Sequence, residues 1–230
     1  MMTSNKKTAQ ISGLIYLVVV ITGIFSLMYV PSKLIVWGNA VDTFNNIIAN
    51  QQLFRLGLLS YIICYVFFLF LPLALYRLLE SINQNYAIVM VASAVVSVPM
   101  ALINIQNQYN VLSLISDESY LKVFENDYIQ AQVLLYLNHY DNGHLITSVF
   151  FGLWLFPFGY LVYKSGMLPK ILGIFLMLGC FSYVINFIGN TLFANYSSLG
   201  IASYIQIPAT IGEIGICLWL LIVGTRQKIN

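Results

Sequence analysis

A single acid, Glu213, stands in the apolar run PATIGEIGICLWLL at residues 208–221. An acid at the centre of a membrane helix costs about 2.5–3.5 kcal/mol on insertion scales, and such residues often bind a ligand or relay protons. Residues three, four and seven apart share a helix face, so Gln206, Thr210 and Cys217 accompany Glu213. The opposite face is apolar: Ile207, Ile211, Ile214, Leu218 and Ile222. The pattern predicts that the acid points into a bundle and that the apolar face meets lipid.

Further polar side chains lie at or above the depth of Glu213 in the segments that could surround it. By a helix rise of about 1.5 Å per residue, one of them is level with Glu213 and the others lie nearer the outer surface. They are Ser182, Asn186, Asn190, Gln206, Asn104 and His144. The inner halves of the same segments are almost entirely apolar. We therefore predict an outward-facing intramembrane pocket for a small or lipid-like ligand, lined by Glu213 and these polar residues.

Glu213 has two possible roles, as a ligand contact or as a structural hydrogen-bond anchor between helices. We expect it to be uncharged at pH 7, because a low dielectric disfavours charge and no Lys or Arg is predicted at its depth. A protonated acid can donate to Asn186 or Ser182 while it accepts from Gln206 or Thr210. Serines and glycines on neighbouring faces are also typical of plain helix packing in membranes.

Known catalytic and metal-binding patterns are absent from the sequence. Neither H-E-x-x-H nor a glycine-rich phosphate loop occurs, and the cysteines form no C-x-x-C pair. His139 and His144 are five residues apart, so they do not share a helix face. Helix rise puts His144 about 15 Å above Glu213, too far for a His–Glu acid–base pair. We therefore predict no catalytic residue, metal site or cofactor.

Four functions are compatible with these residues, the plainest being a scaffold that binds no small ligand. The preferred hypothesis is a non-enzymatic membrane protein that binds a ligand, in sensing, immunity or uptake. A proton- or ion-coupled transporter would use Glu213 as its coupling carboxylate, because intramembrane acids often lie on proton relays. An intramembrane enzyme acting on lipid or peptide would combine Glu213 with His144 or the outer amides. Transport requires access to the acid from both sides, and the apolar inner halves argue against that.

The composition indicates whether this protein lies in water or in a membrane. Of its 230 residues 60% are hydrophobic and 8% are charged, whereas a soluble domain carries about 25% charged residues. The chain is therefore expected to be a multi-pass membrane protein forming one domain over residues 1–230, with the lipid bilayer as its partner. A net charge of +2 does not indicate nucleic-acid binding. The oligomeric state stays open.

The elements that must position Glu213 are six membrane helices. Six apolar segments reach the length of about 20 residues that a crossing needs, and backbone groups in lipid require helices. They are 10–30, 55–76, 86–107, 144–164, 170–191 and 203–224. With the N-terminus inside, seven Lys and Arg residues lie in inner segments and three in outer ones. The positive-inside rule then predicts an all-α, six-span bundle with both termini cytoplasmic.

The two longer outer connections have helical patterns of their own. Residues 40–54 place Val41, Phe44 and Ile48 on one face, which suits a helix at the membrane interface. Residues 116–143 hold five of the eight acids and are expected to form a solvated cap.

Several stretches resemble a bacterial membrane family catalogued as domain of unknown function, family four-three-eight-six. The most specific is FFGLWLFPFGYLVYKSGMLPKILG, and others are KKTAQISGLIYLVVVITGIF, LFRLGLLS, LALYRLLESINQNYAIVMV and GEIGICLWLLIVG. The likeness runs from about Lys6 to Gly224. It implies a multi-span protein of the cytoplasmic membrane. It implies no activity, so it transfers no functional residue.

Overall fold

The computed structural model describes residues 2–116, 118–196 and 199–226, and every regular element within these ranges is helical. The α-helices are α1 Met2–Ile24, α2 Val30–Leu34, α3 Ala40–Ala49, α4 Gln51–Leu79, α5 Gln84–Asn104, α6 Gln106–Leu114, α7 Asn126–Ser165, α8 Lys170–Leu192 and α9 Ile201–Ile222. A π-helical turn, Phe25–Tyr29, joins α1 to α2, and a 3₁₀ turn, Ser119–Val123, precedes α7.

Six segments of the described chain are long and apolar enough to cross a membrane. They are Asn5–Leu34, Gln51–Leu79, Gln84–Leu114, Asn126–Ser165, Lys170–Leu192 and Ile201–Ile222. Each contains or closely overlaps one predicted span, so the prediction of an all-α bundle with six membrane helices is confirmed. The cytoplasmic placement of the termini remains a prediction from the charge count. One of the residues counted for it, Lys228, lies outside the described residues.

The membrane helices form a closed ring. In order around it, α1 packs on α4, α4 on α5, α5 on α7, α7 on α8, α8 on α9, and α9 again on α1. Small residues sit at the closest approaches, as is usual where dispersion forces rather than hydrophobicity hold membrane helices together. A Cβ atom at Gly13 of α1 would collide with the backbone of Leu221 in α9, and Gly159 and Gly173 bring α7 and α8 equally close. The α1–α9 contact is therefore tight near the two termini.

Helix α1 departs from regular geometry on its side towards α4. Pro31 has no N–H and its ring crowds the carbonyl four residues back, which explains a wider turn just before it. The Thr22 hydroxyl donates to the Val18 carbonyl at 2.6 Å, and Ser26 donates to the Thr22 carbonyl at 2.7 Å. Ser60 of α4 donates to the same Thr22 carbonyl at 3.1 Å. The Ser60 bond therefore ties this end of α1 to α4.

Helix α7 is longer than the sequence pattern predicts. It has 40 residues and begins at Asn126, although the predicted span starts at residue 144. Its added turns are not a free solvated cap, because Val133 and Leu137 are fully buried. Helix α3 packs against α7, with Ile47 among its buried residues. The solvated-cap prediction is wrong for residues 126–143, since apolar residues at helical spacing continue through that stretch.

Candidate functional site

Glu213 joins three helices through two tyrosines. The Tyr16 hydroxyl of α1 donates to Glu213 Oε2 at 3.4 Å, and the Tyr183 hydroxyl of α8 donates to Oε1 at 3.2 Å. Tyr16 is 1% exposed, so its hydroxyl depends on this acceptor. Both distances exceed the usual range of about 2.5–3.0 Å between two oxygens, so each bond is weak. The acid is thus held from two sides, and it points into the bundle as its helix face predicts.

The predicted partners of Glu213 were wrong. Ser182 donates to the Leu178 carbonyl of its own helix, and Thr210 donates to the Gln206 carbonyl. Ser182 and Tyr183 are neighbours in sequence, so their side chains leave the helix about 100° apart. The observed rotation of α8 directs Tyr183 towards the acid. A rotation of this size cannot be read from the polar stripe of one helix.

A cavity of about 450 Å³ lies beside this acid. Helices α1, α4, α7, α8 and α9 and the π-helical turn all contribute to its wall. Most of the wall is aliphatic or aromatic, including Val20, Leu27, Phe68 and Phe151. Polar groups are few: Tyr16, Tyr183, Thr210, Glu213, Tyr65 and His144, with the weakly polar thiol of Cys64. A cavity of this size with an apolar wall and a few polar groups is typical of small-molecule sites.

The cavity opens sideways between α1 and α9. Along α1 and the π-helical turn, the wall runs from Tyr16 to Met28, roughly 18 Å along the axis. Its margins, Ile24 and Met28 on one side and Ile214 on the other, are 47%, 65% and 36% exposed on the outside of the bundle. Nearer the termini the gap is closed by the Gly13 contact. The opening therefore lies beside the apolar face of α9, whose exposure the sequence predicts. The predicted opening towards the outer surface stays a prediction.

Of the predicted site residues, the structure brings Glu213 and His144 to one cavity. The other five lie outside its wall and form hydrogen bonds within the protein. Asn186 donates to Gln206 Oε1 at 3.1 Å and accepts from the Tyr196 hydroxyl at 2.7 Å, while Asn190 donates to the Asn186 carbonyl. Asn104 donates to the Tyr140 carbonyl at 2.8 Å, and Ser182 is bonded within α8.

Sequence reasoning did not place Tyr16, Tyr65 and Tyr183 in the site. Tyrosines of membrane proteins concentrate at the two membrane–water interfaces, where the ring is apolar and the hydroxyl is hydrated. Tyr16, Tyr65 and Tyr183 instead lie well inside their spans. That position was the available signal, because a hydroxyl at such depth needs a partner within the protein or a ligand.

Comparison with known proteins gives a family but no activity. The family model described as "Domain of unknown function (DUF4386)" matches residues 11–224. An "Uncharacterized protein" of Archaeoglobus fulgidus is 36% identical over 78 residues, which are 34% of this chain and 44% of that protein. The matched region thus spans less than half the length of this relative. No solved structure matches the chain.

Proposed function

The chain belongs to this DUF4386 family, and we propose that it is a non-enzymatic membrane protein that binds a small, lipid-like ligand inside its helical bundle. The observation that carries the proposal is the apolar cavity of about 450 Å³ with Glu213 in its wall. Such binding would serve sensing, immunity or uptake. The membrane expected to hold the protein is the cytoplasmic membrane.

The wall selects the chemistry of the ligand. Aliphatic and aromatic side chains favour a hydrocarbon body through dispersion contacts, because a ligand that comes from the bilayer has already left water. Glu213 has lone pairs beyond the two that accept from Tyr16 and Tyr183. It can therefore accept a hydrogen bond from a hydroxyl or amine at one end of that body. A neutral single-chain alcohol is the simplest molecule that meets both conditions.

The side opening gives such a ligand a route from the membrane. Lipid-like molecules are dissolved in the bilayer, and the margins of the opening at Ile24, Met28 and Ile214 are apolar. A hydrocarbon chain would therefore enter between α1 and α9 without crossing water.

Neither alternative function gains support from a specific contact. A transporter coupled through Glu213 needs a second route to the acid from the side of the termini. In the described structure, α1 and α9 pack directly there, with Cys217 donating to the Gly13 carbonyl at 3.8 Å. An enzyme would need a base beside the acid. Trp154 of α7 is in ring contact with Tyr16, which bonds Glu213. His144 lies ten residues before Trp154, about 15 Å along the axis of α7, so it lies too far from the acid to act as its base.

Photolabelling tests the proposal directly. The purified protein in dodecylmaltoside micelles is irradiated with a dodecanol analogue that carries a diazirine in its chain, and labelled residues are mapped by mass spectrometry. We expect labels near Val20 and Thr210 that excess dodecanol prevents. Ile185, which is exposed on the outside of α8, is the control, and its labelling should not respond to dodecanol. Labelling that no competitor reduces at any position would overturn the proposal.

A further inference from the structure

The hydrogen bonds to Glu213 suit an ionised carboxylate. Both of its oxygens accept, Oε2 from the Tyr16 hydroxyl at 3.4 Å and Oε1 from the Tyr183 hydroxyl at 3.2 Å. A carboxylate accepts at both oxygens, whereas a protonated acid uses one of them to donate. Because both bonds are longer than usual, the two tyrosines compensate little of a negative charge by themselves.

A positive charge to pair with that carboxylate is missing from the cavity. Among the described residues that line it, Glu213 is the one Asp or Glu side chain, and none is a Lys or Arg. A low dielectric disfavours an uncompensated charge, so we expect Glu213 to be uncharged while the cavity is empty. A ligand that brings a positive charge would remove this penalty.

The other titratable side chains near Glu213 do not supply the charge. Those in the cavity wall are Tyr16, Cys64, Tyr65, Tyr183 and His144. Cys217 stands one turn farther along α9. Tyrosine and cysteine become negative when they lose a proton. His144 can become positive, but it lies about 15 Å along α7 from Trp154, the residue in ring contact with Tyr16.

The cavity wall is also rich in aromatic rings. Tyr16, Phe68, Phe151 and Tyr183 all belong to it. Ring contacts run from Tyr16 to Trp154 at 6.3 Å between centroids, from Trp154 to Phe68 at 5.3 Å, and from Phe68 to Phe151 at 5.2 Å. The face of an aromatic ring attracts a cation, most strongly where water is excluded, and aromatic walls recognise quaternary ammonium groups. The rings around this cavity therefore favour a cation in it.

We infer that the ligand is a single hydrocarbon chain with an ammonium group, and that this group pairs with Glu213 as the carboxyl proton is released. This inference rests on the proposed function and specifies the class of its ligand. One positive charge enters the cavity and one proton leaves it, so the net charge inside is unchanged and neither charge is buried alone. The hydrocarbon chain occupies the apolar part of the wall.

A permanent cation distinguishes this binding from binding of a neutral ligand. Dodecyltrimethylammonium has no proton to lose, so a proton released when it binds comes from the protein. Its affinity and that of dodecanol are measured calorimetrically in dodecylmaltoside micelles. The measurements run from about pH 6 to about pH 8, below the ordinary pKa values of cysteine and tyrosine. Two buffers of different ionisation enthalpy are used, because the difference in binding enthalpy between them counts the protons released.

In the wild type we expect the cation to bind more tightly as the pH rises, by up to about tenfold per pH unit. The sign follows because the cation binds the ionised form of Glu213 and must displace a proton at lower pH. Binding of the cation should release up to one proton. Dodecanol should release none, because it binds without a change in the charge of Glu213.

Glu213→Gln should abolish the proton release and the rise with pH, and should weaken cation binding at about pH 8 by about tenfold or more. Dodecanol should bind this variant about as tightly as the wild type, because the amide oxygen still accepts a hydrogen bond. Asp127→Asn is the matched control. It removes an acid that is exposed in the first turn of α7, outside the cavity wall, and should behave like the wild type.

Cation binding by the wild type without proton release would overturn the inference, whatever the variants do. Equal weakening in Glu213→Gln and Asp127→Asn would also overturn it, because it would show that the cation collects at the protein surface by charge alone. In both cases the proposed function stands if dodecanol still binds. Absence of binding by both probes would overturn the inference and the proposed function together.

Discussion

At the residue scale, Glu213 connects α1, α8 and α9, because Tyr16 and Tyr183 donate hydrogen bonds to its two carboxyl oxygens. A double-mutant cycle with Glu213→Leu and Tyr183→Phe measures the coupling energy of the contact with Tyr183. We expect a coupling of about 0.6 kcal/mol in the free energy of unfolding, the average for hydrogen bonds between membrane helices. Glu213→Gln keeps an acceptor of similar shape and should unfold like the wild type. Strictly additive effects of the two substitutions would show that the tyrosine contact contributes nothing.

Asn186 illustrates the opposite case, a polar residue whose partners are all internal. Asn186→Ala removes the acceptor of the Tyr196 hydroxyl and the donor to Gln206. We expect a loss of about 1–2 kcal/mol in stability and unchanged dodecanol affinity, measured by thermal unfolding and calorimetry. Thr191→Ala is the control, because its exposed hydroxyl bonds only within α8. Weaker dodecanol binding by correctly folded Asn186→Ala would show that Asn186 contributes to ligand binding.

The sequence was informative about which residues are polar and deep, and less so about what they contact. Glu213 and His144 were predicted from depth and residue type, and both lie in the cavity wall. The partner Tyr183 was not predicted, because it depends on how α8 is rotated against α9. Tyr16 and Glu213 are 197 residues apart in the chain, and nothing local to either residue specifies that contact.

At the element scale, the contact of α1 with α9 closes one end of the bundle, and Gly13 permits it. Gly13→Ala would force the new methyl group against the Leu221 backbone, which cannot move as a side chain can. We expect a loss of about 1–3 kcal/mol in the free energy of unfolding, the usual cost of overpacking. Thermal unfolding in detergent measures it.

Gly23→Ala is the matched control in the same helix. A Cβ atom there would lie 3.5 Å from Cys64 Sγ, an ordinary contact. We expect its stability to equal or exceed that of the wild type, because alanine favours the helix over glycine. Similar losses for both variants would mean that glycine is needed for flexibility rather than for the close approach.

Helix lengths show where hydropathy fails as a guide to elements. The span at 170–191 was predicted almost to its ends, because Pro169 and the change in polarity mark them. The first 18 residues of α7 were predicted to be partly helical but were not joined to the fourth span, because their acids and amides make them too polar for a membrane crossing. Their apolar residues keep helical spacing and pack against the rest of the protein, and this tertiary burial overrides the polar composition.

At the scale of the whole molecule, the orientation of the six spans determines which half of the membrane contains the cavity. Reporter fusions after Arg77 and after Lys170 should report cytoplasm, because the positive charges concentrate in those segments. A fusion within residues 112–125 should report the outside. The cavity would then lie in the outer half of the membrane. A reversed result at any one fusion would contradict the six-span orientation.

The fold class and the six spans follow from composition and length alone, because lipid leaves the backbone few alternatives. The cavity does not follow from them. It arises because α1 and α9 meet at Gly13 and leave a gap farther along, and because Gly23 in the cavity wall has no side chain to occupy that gap. Such voids depend on packing between five helices and the π-helical turn at once.

The central claim is that this cavity accepts a lipid-like ligand, and Trp154 can report it. Trp154 is buried, and its ring contacts Phe68 and Tyr16, both in the cavity wall. With Trp37 and Trp219 changed to Phe, Trp154 is the only fluorophore of its type, since the chain has three tryptophans. Quenching by bromododecanol is then measured in dodecylmaltoside micelles.

We predict quenching of Trp154 that saturates with bromododecanol, is reversed by dodecanol, and is lost when Gly23→Leu places a side chain into the cavity. The Gly23→Leu protein must unfold at the same temperature as its parent for the comparison to hold. Quenching that rises linearly, ignores dodecanol and is equal in both proteins would show that bromine reaches Trp154 only from the surrounding detergent. That result would contradict a ligand-binding cavity.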